Sequence, residues 1–170
     1  MKAVIQRVSD ASVTVNGELA GSINFGLLVY IGVASQDTNN DAGWLADKIP
    51  NLRIFDDSDG KMNLSLNEIV NNATVKVNEN KVNGISSIGI LAISQFTLMG
   101  DARKGRRPSW SAAAVPEKAQ ELYDDFIMKI KKQGVHCESG IFQARMKVRY
   151  TNEGPVTILL DSKDTTRSEE

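Results

Sequence analysis

The stretch GILAISQFTLM, residues 89–99, is the most hydrophobic strand-like run of this chain. A short apolar run bounded by polar segments predicts a buried β-strand. In an extended strand, alternate side chains point to opposite faces, so Gln95 and Thr97 would share one face while Ser94 and Phe96 share the other. Polar side chains on a buried strand either satisfy one another within a core or form a site. The residues alone leave both interpretations open.

Further strands are predicted on both sides of this run. They cover residues 2–8, 11–15, 18–23, 26–34 and 51–55 before it, and 135–139, 144–150 and 155–161 after it. Asn16-Gly17 predicts a two-residue hairpin turn. The uninterrupted apolar run 26–34 is typical of a strand covered on both faces. Residues 70–88 are polar and rich in Asn and Gly, which predicts a strand with an exposed loop or hairpin.

Two principal helices are expected. Thr38, with Asp41 three residues later, predicts a helix start, and Pro50 ends that helix. Residues 116–134 begin with proline, have apolar residues at four-residue spacing and end at Gly134. We therefore predict a mixed α/β, β-rich fold in which β-sheets pack with two helices. A single domain is expected over residues 1–162, followed by a flexible tail at 163–170.

Composition limits the classes of function. The net charge of -1 argues against attraction of nucleic acid to the whole surface, although it allows a local basic patch. Cys137 is the single cysteine, so no intrachain disulfide can form and a reducing compartment fits best. The chain has no secretory signal pattern and no apolar run approaching the roughly 18 residues of a membrane span. We expect a cytoplasmic protein without a membrane partner.

Most familiar catalytic patterns are missing. His136 and Cys137 are adjacent on a predicted strand, so their side chains point to opposite faces and are poorly placed to act as a base and a nucleophile. No cluster of histidines and cysteines suggests a transition metal, and we expect neither a metal nor a cofactor. The acidic run at 56–61 is interpreted as a turn, because a calcium loop there would require Phe55 and Leu66 as ligands.

A cationic cluster follows the opening strand directly. It comprises Arg103, Lys104, Arg106 and Arg107 around one glycine. The run GDARKGR lacks the Gly-Lys-Ser/Thr ending of a nucleotide-binding phosphate loop. Such a cluster is either a solvated loop or a surface that contacts phosphate groups.

Four ordered motifs together resemble the D-aminoacyl-tRNA deacylases, the D-Tyr-tRNA deacylase family. They are MKAVIQRV at the start, NLRIF followed by GKMNLSL, SQFTL followed by RKGRRPS, and GPVTILLD near the end. The resemblance extends from Met1 to about Ser162. It implies the family's fold and a homodimeric cytoplasmic enzyme that hydrolyses the ester between a D-amino acid, or glycine, and tRNA. L-aminoacyl-tRNA would be spared.

The resemblance also implies roles for individual residues. Ser94, Gln95 and Thr97 would be catalytic, and Phe96 and Met146 would bind the substrate. Gly154 and Pro155, joined by a cis bond, would enter the pocket of the partner subunit and exclude L-residues, with Arg7 supporting that turn. Where the family commonly has Phe-Gly-Ala, this chain has Gln143 in the place of the glycine.

The mechanism is left between two possibilities. Thr97 could be a nucleophile, but no histidine, cysteine or carboxylate lies near it in the motif, and Lys104 would reach it only if the chain folded back. We favour backbone N–H groups and the Ser94 and Thr97 hydroxyls orienting water and stabilising an oxyanion. The cations 103–107 would then contact tRNA phosphates without reading sequence. The alternative function is a non-catalytic dimer that binds RNA ends.

Overall fold

The structure, a computed structural model, describes residues 1–79 and 88–164, and of residues 73–79 only the backbone. Within these residues the strands are β1 Lys2–Val15, β2 Glu18–Ile23, β3 Phe25–Gly32, β4 Phe55–Asp56, β5 Met62–Leu64, β6 Ile88–Ser94, β7 His136–Ser139 and β8 Met146–Asp161. The helices are α1 Asn39–Lys48, α2 Leu66–Glu79 and α3 Pro116–Lys132. Short 3-10 turns cover Ile49–Asn51 and Phe96–Met99. The mixed α/β, β-rich prediction is confirmed.

The main sheet is built around the long strand β1. Its first half pairs with β3, its second half pairs with β2, and β8 pairs with both halves, all antiparallel. Because β8 follows both halves, it must lie on the edge of β1 opposite to β2 and β3. Strands β3, β6 and β7 run parallel to one another, and α3 connects β6 to β7. Strands β4 and β5 form a separate two-stranded ribbon.

Two hydrophobic clusters lie on the two faces of this sheet. Leu27 and Val29 of β3 belong to the larger cluster, with α1 and α3 packed over them, whereas Leu28 belongs to the smaller one. All three side chains have no exposed surface. The prediction that this apolar run is covered on both faces is therefore confirmed. In β6, Ile90 belongs to the larger cluster and Leu91 to the smaller one, so β6 also lies between two packed layers.

The two predicted helices are present with the expected ends. At α1 the Thr38 backbone N–H donates to Asp41 Oδ2 at 2.8 Å, which forms the predicted capping box. Helix α3 starts at Pro116, and Gly134, with φ of +82°, follows its end. In the described part of the chain no helix is long and apolar enough to cross a bilayer.

The prediction for residues 70–88 was wrong over its first half. Residues up to Glu79 form helix α2, a third helix, and residues 80–87 lie outside the described part. The signal was Ser65 with Glu68 three residues later. The Ser65 N–H donates to Glu68 Oε2 at 2.7 Å, and the Glu68 N–H donates to Ser65 Oγ at 3.2 Å. This reciprocal capping starts a helix despite the polar composition that follows it.

Other strand boundaries also differ from the predictions. The strands predicted at 2–8 and 11–15 form one continuous strand, as do those at 144–150 and 155–161. Each long strand stays continuous through its polar middle because β1 and β8 pair with each other along both halves. Of the strand predicted at 51–55, Phe55 alone is in a strand, because the turn Ile49–Asn51 continues past Pro50.

The two ends of the described chain meet in a cluster of charged groups, most of them buried. The Met1 ammonium lies 2.9 Å from Asp37 Oδ1, and both groups are fully buried. Ser162 Oγ donates to Asp41 Oδ1 at 2.6 Å, and Lys163 Nζ lies 2.8 Å from the same oxygen. Of the tail predicted at 163–170, residues 165–170 lie outside the described part.

Candidate active site

The polar motif lies where β6 ends and a tight turn begins. Ser94 is the last residue of β6, and the Gln95 N–H donates to the Ile31 carbonyl at 2.7 Å. The chain then turns, with the N–H of Leu98 donating to the Gln95 carbonyl at 3.2 Å. The extended conformation predicted through residue 99, and the alternating faces derived from it, are therefore wrong beyond Gln95. The chain leaves the sheet because the N–H groups of Leu98 and Gly100 donate to the Gln95 and Thr97 carbonyls within the turn and not to a neighbouring strand.

The turn still brings Gln95 and Thr97 together. Gln95 Nε2 donates to Thr97 Oγ1. Gln95 is partly buried and Thr97 is exposed. Because the Thr97 oxygen accepts this hydrogen bond, its own proton remains available to a further acceptor.

Two backbone donors at this turn are unpaired. Within the described residues, the N–H groups of Phe96 and Thr97 have no hydrogen-bond acceptor. This follows from the geometry of a 3-10 turn, whose first N–H groups have no partner inside the turn. Such donors can bind water or a developing negative charge on a ligand.

A cavity of about 740 Å³ opens beside this turn. Ser94, Gln95 and Phe96 line it, together with Met146 of β8, as the predicted site requires. The rest of its wall is mostly apolar. It comes from the ends of β3 and β6, the loop before α3, the first turns of α3, the segment before β8 and β8 itself: Ile31, Val33, Ile93, Ala113, Ala114, Pro116, Ala119, Phe142, Ala144 and Val148. An apolar cavity of this size with a few polar groups suits a small organic moiety.

Tyr123 and Gln143 also line the cavity. Sequence reasoning gave no role to Tyr123, whereas it singled out Gln143 as a departure from the family's glycine that affects the backbone and one wall of the pocket. The Tyr123 hydroxyl donates to the Ala92 carbonyl at 2.9 Å. Burial, reinforced by Cys137 and Asp124, raises the pKa of Tyr123 above its ordinary value, so the phenol remains protonated. Gln143 has φ of +61°, in the left-handed region that favours glycine. The family's glycine at this position was the available signal for that conformation.

The cationic cluster forms the tip of a hairpin-like loop. Asp101 and Ser109 close its base through two backbone hydrogen bonds of 2.8 Å each. The predicted residues Arg103, Lys104, Arg106 and Arg107 are all exposed. Arg103 differs from the other three in having a carboxylate partner within the described residues. Its Nε and Nη2 donate to Asp101 at 2.9 and 2.6 Å. This pairing lowers the pKa of Asp101 and raises that of Arg103.

The predicted gate residues interrupt the long pair of β1 and β8. Val8 pairs with Asn152 and Gln6 pairs with Thr157, so residues 153–156 protrude opposite Arg7. The Gly154-Pro155 peptide bond is cis, as the resemblance implies, and both residues are exposed.

Arg7 lies directly under this protrusion. The Arg7 Nε donates to the Glu153 carbonyl at 3.2 Å, and its Nη1 donates to the Ile54 carbonyl at 2.7 Å. Gly154 has φ of +115°, and a Cβ added there would lie 2.9 Å from Arg7 Nη2. The positive φ therefore favours glycine at this position, and the contact with Arg7 leaves little room for a side chain.

The structure thus separates the predicted site residues into three groups. Ser94, Gln95, Phe96 and Met146 share one cavity, with Thr97 bonded to its edge. The described residues that line this cavity do not include Gly154, Pro155 or Arg7. The cations occupy the hairpin that follows the turn.

His136 and Cys137, which were predicted to be poorly placed as a base and a nucleophile, differ in burial. Cys137 is buried, and burial raises the pKa of its thiol to about 12. His136 is partly exposed, with Nε2 3.3 Å from Glu138 Oε1. Among the described residues, no group of three or more His, Cys, Asp or Glu side chains is placed to hold a metal ion.

Comparison with known proteins agrees with these features. The sequence model of the D-Tyr-tRNA(Tyr) deacylase family matches residues 4–161. A D-aminoacyl-tRNA deacylase from Fervidobacterium nodosum is 52% identical over 163 residues, which cover 96% of this chain and 98% of the relative. One from Koribacter versatilis is 50% identical with the same coverage. A solved structure titled c-Myc DNA Unwinding Element Binding Protein is similar with a TM-score of 0.78 and 35% identity, covering 95% of this chain and 98% of that one.

Proposed function

The chain belongs to the D-Tyr-tRNA(Tyr) deacylase family, and from this membership we propose that it is an aminoacyl-tRNA editing hydrolase. Its substrate is the ester between tRNA and a D-amino acid or glycine, and L-aminoacyl-tRNA is spared. The enzyme is a carboxylic ester hydrolase. The other candidate, a non-catalytic dimer that binds RNA ends, is not favoured, because curated relatives about half identical to this chain are named as deacylases.

The observation that carries the proposal is the pair of free backbone donors beside the cavity. The N–H groups of Phe96 and Thr97 have no acceptor within the described residues, and Phe96 itself lines the cavity. Ester hydrolysis develops negative charge on the carbonyl oxygen as water adds to the carbon. Two N–H groups fixed in this turn can stabilise that charge without a metal or a charged side chain.

The reaction then proceeds by direct attack of water. A water held by the Thr97 and Ser94 hydroxyls adds to the ester carbonyl, and the tetrahedral oxyanion is bound by the backbone donors. Collapse of this intermediate expels the ribose oxygen, which takes up the proton released by the water. The neighbouring ribose hydroxyl of the substrate can relay that proton. An aminoacyl ester is already activated, so these modest groups suffice.

Discrimination of chirality is assigned to Gly154 and Pro155 of a partner subunit. One support is that the protruding turn is exposed and held by Arg7. The other is that Gly154 and Pro155 are not among the described residues that line the cavity of their own subunit. Without a Cβ, Gly154 lets main chain approach the substrate α-carbon closely. An L-side chain would collide with that main chain, whereas a D-residue or glycine leaves only hydrogen there.

A homodimer is required for this arrangement. Its support is the edge strand β8, which within the described residues pairs with β1 alone and whose Leu159 is 73% exposed. A long edge strand carrying exposed apolar residues is a common site of chain association. The cytoplasm, where aminoacyl-tRNA is used, is the proposed location.

The deciding experiment compares D-Tyr-tRNA and L-Tyr-tRNA as substrates of the purified protein. We expect release of tyrosine from the D-ester and near-background release from the L-ester. The matched variant is Pro155→Ala, which leaves the cavity of its own subunit intact and should reduce D-ester hydrolysis or admit the L-ester. Equal hydrolysis of both esters by the wild type would contradict the proposed role of Gly154 and Pro155 in chiral discrimination. Hydrolysis of neither ester would contradict the proposed enzymatic activity.

A further inference from the structure

A row of exposed cations runs along the first half of β8. Lys147 and Arg149 lie on this strand and Arg145 immediately precedes it, and we call these three residues the β8 cations. None of their side chains forms a hydrogen bond or an ion pair with another residue that the structure describes. The row therefore concentrates uncompensated positive charge on one strand of a chain whose net charge is -1.

The pairing of β8 with β1 shows which face of the sheet these side chains occupy. Lys147 lies opposite Thr14 of β1. Arg149 lies opposite Ser12, and directly opposed residues of an antiparallel pair share a face. Val148, between the two cations, points to the other face, where it packs against the smaller hydrophobic cluster and lines the cavity. The cations thus stand beside small hydroxyl side chains, which leave them accessible to a large ligand.

The row begins at the rim of the cavity. Ala144 and Met146, the chain neighbours of Arg145, both line the cavity. Within the described residues β8 pairs with β1 alone, so a ligand that lies along its open edge can reach side chains of both faces. This first half of β8 is separate from the second half, where the exposed Leu159 supports the proposed homodimer. A ligand that enters the cavity can therefore extend along the β8 cations.

We propose that the β8 cations bind the phosphate backbone of the duplex acceptor stem of the tRNA whose aminoacyl ester occupies the cavity. This assignment rests on the proposed function and adds a second phosphate-binding surface to the hairpin at 101–109. Alternate residues of a strand are about 7 Å apart, so Lys147 and Arg149 form a regular row of like charges. Such a row is complementary to the regular row of phosphates along one strand of a nucleic acid.

The composition of this face favours a duplex over a single strand. Surfaces that bind single strands combine cations with aromatic side chains on which the bases stack. Tyr150, the aromatic residue of this part of β8, lies opposite Ala11 and so points away from the face of the cations. Double-stranded RNA is bound mostly through its phosphates and 2′-hydroxyls, and cations beside serine and threonine hydroxyls suit both groups. The contact would position the stem without reading its sequence.

The test compares the binding of two uncharged RNAs, a minihelix that contains the acceptor stem with its single-stranded 3′ end, and that 3′ end alone. The variant combines Arg145→Gln, Lys147→Gln and Arg149→Gln, which remove the charges and keep long polar side chains. We expect it to bind the minihelix about tenfold more weakly at low salt, and to reduce the slope of log K against log salt by about 2 to 3. Affinity for the 3′ end alone should be unchanged, because that RNA has no stem.

The matched control removes the same charge from the exposed ends of α1 and α3 by combining Lys48→Gln, Lys131→Gln and Lys132→Gln. It should bind both RNAs as the wild type does. Lys147→Gln alone should reduce the slope for the minihelix by about 1, and this single change covers the case in which the triple variant does not fold.

Three results would overturn the proposal. Equal losses for the two RNAs, or an equal loss in the control, would indicate general attraction of polyanions. Unchanged binding of the minihelix would mean that the β8 cations face another occupant, such as an acidic protein. Since both RNAs are uncharged, the outcome does not depend on hydrolysis. A protein that hydrolyses no D-aminoacyl ester yet loses affinity for the stem in the triple variant would contradict the proposed function and support this surface.

Discussion

At the scale of single residues, the proposed mechanism depends on whether the Thr97 hydroxyl acts as a hydrogen-bond donor or as a nucleophile. Its oxygen already accepts a hydrogen bond from Gln95 Nε2. A nucleophilic hydroxyl needs a base to take its proton, and the cavity residues Ser94, Tyr123 and Gln143 provide none at neutral pH. The raised pKa of Tyr123 keeps its phenol protonated. Thr97 is therefore best suited to donate a hydrogen bond to the attacking water or to the oxyanion.

Replacing Thr97 by alanine should consequently reduce turnover without abolishing it. We expect kcat to fall about 100-fold, the usual effect of removing one hydrogen-bond donor to an oxyanion, with KM little changed. Thr97→Ser, which restores the hydroxyl, should recover most of the activity. Single-turnover assays with D-Tyr-tRNA measure both. An aminoacyl ester on Thr97, trapped in acid and located by mass spectrometry, would show instead that the hydroxyl is a nucleophile.

The sequence predicted the members of the site better than their geometry. Ser94, Gln95, Phe96 and Met146 do share a cavity, yet the extended face pattern failed at Gln95 because local turn hydrogen bonds end the strand there. The positive φ of Gln143 could not be inferred from glutamine, a residue that rarely adopts it. Tyr123 joined the cavity through the packing of α3, which residue spacing alone does not reveal.

At the scale of elements, the hairpin at 101–109 gives its cations unequal roles. Arg103 is held by both oxygens of Asp101, whereas Lys104, Arg106 and Arg107 have no carboxylate partner within the described residues. A cation already neutralised by a carboxylate releases fewer counterions when it meets a phosphate. The unpaired cations should therefore supply most of the salt-dependent affinity.

The double change Arg106→Ala with Arg107→Ala should weaken binding of several tRNAs to the same extent. It should also reduce the slope of log K against log salt by about 1 to 2, because about one counterion is released per phosphate contact. Titrations across a salt series measure this. The matched control is Lys131→Ala with Lys132→Ala, which removes the same charge from the exposed end of α3. Loss confined to one tRNA, or an equal effect of the control, would contradict phosphate contact.

Elements with strong local signals were predicted well, and those set by pairing were not. The capping residues of α1 and the proline of α3 act locally, so both helices were found. Helix α2 was not predicted. Ser65 and Glu68 cap its start, but the residues that follow are polar and rich in asparagine, which has a low helix propensity and favours turns. Strands β1 and β8 were each divided in two, since only their partner keeps both halves in one strand.

At the scale of the whole molecule, a cluster of charged and polar groups, most of them buried, connects the start of β1 with the end of β8. Asp41, at the start of α1, accepts hydrogen bonds from Ser162 and Lys163 after β8 and from Thr38. Only 7% of Asp41 is exposed. This cluster fixes β8 at its end, and β8 carries the turn at Gly154. No sequence pattern indicated it, because its members are far apart in the chain and residues 163–170 were predicted to be a tail.

The free energy of unfolding should depend on pH in a way that reveals the ionisation of Asp41. Burial alone would raise the pKa of Asp41, but hydrogen bonds from Lys163, Ser162 and Thr38 outweigh burial and hold the pKa well below its ordinary value of 3.8. A pKa lowered by folding stabilises the protein above the unfolded value and ceases to do so as pH falls below it. The contribution of Asp41 is therefore complete at neutral pH and declines in acid.

Asp41→Asn should accordingly lower the free energy of unfolding by about 2 kcal/mol at pH 7, since it weakens hydrogen bonds to a charged group. The difference from wild type should narrow as pH falls from about 5 to 3, because Asp41 then takes up a proton in the unfolded chain but, with its lowered pKa, stays ionised in the folded chain. Urea titrations at several pH values measure both. Asp47→Asn, an exposed position on the same helix, is the matched control and should change stability little at any pH. A deficit for Asp41→Asn that stays constant down to pH 3 would mean that the side chain acts through packing and that its charge contributes nothing.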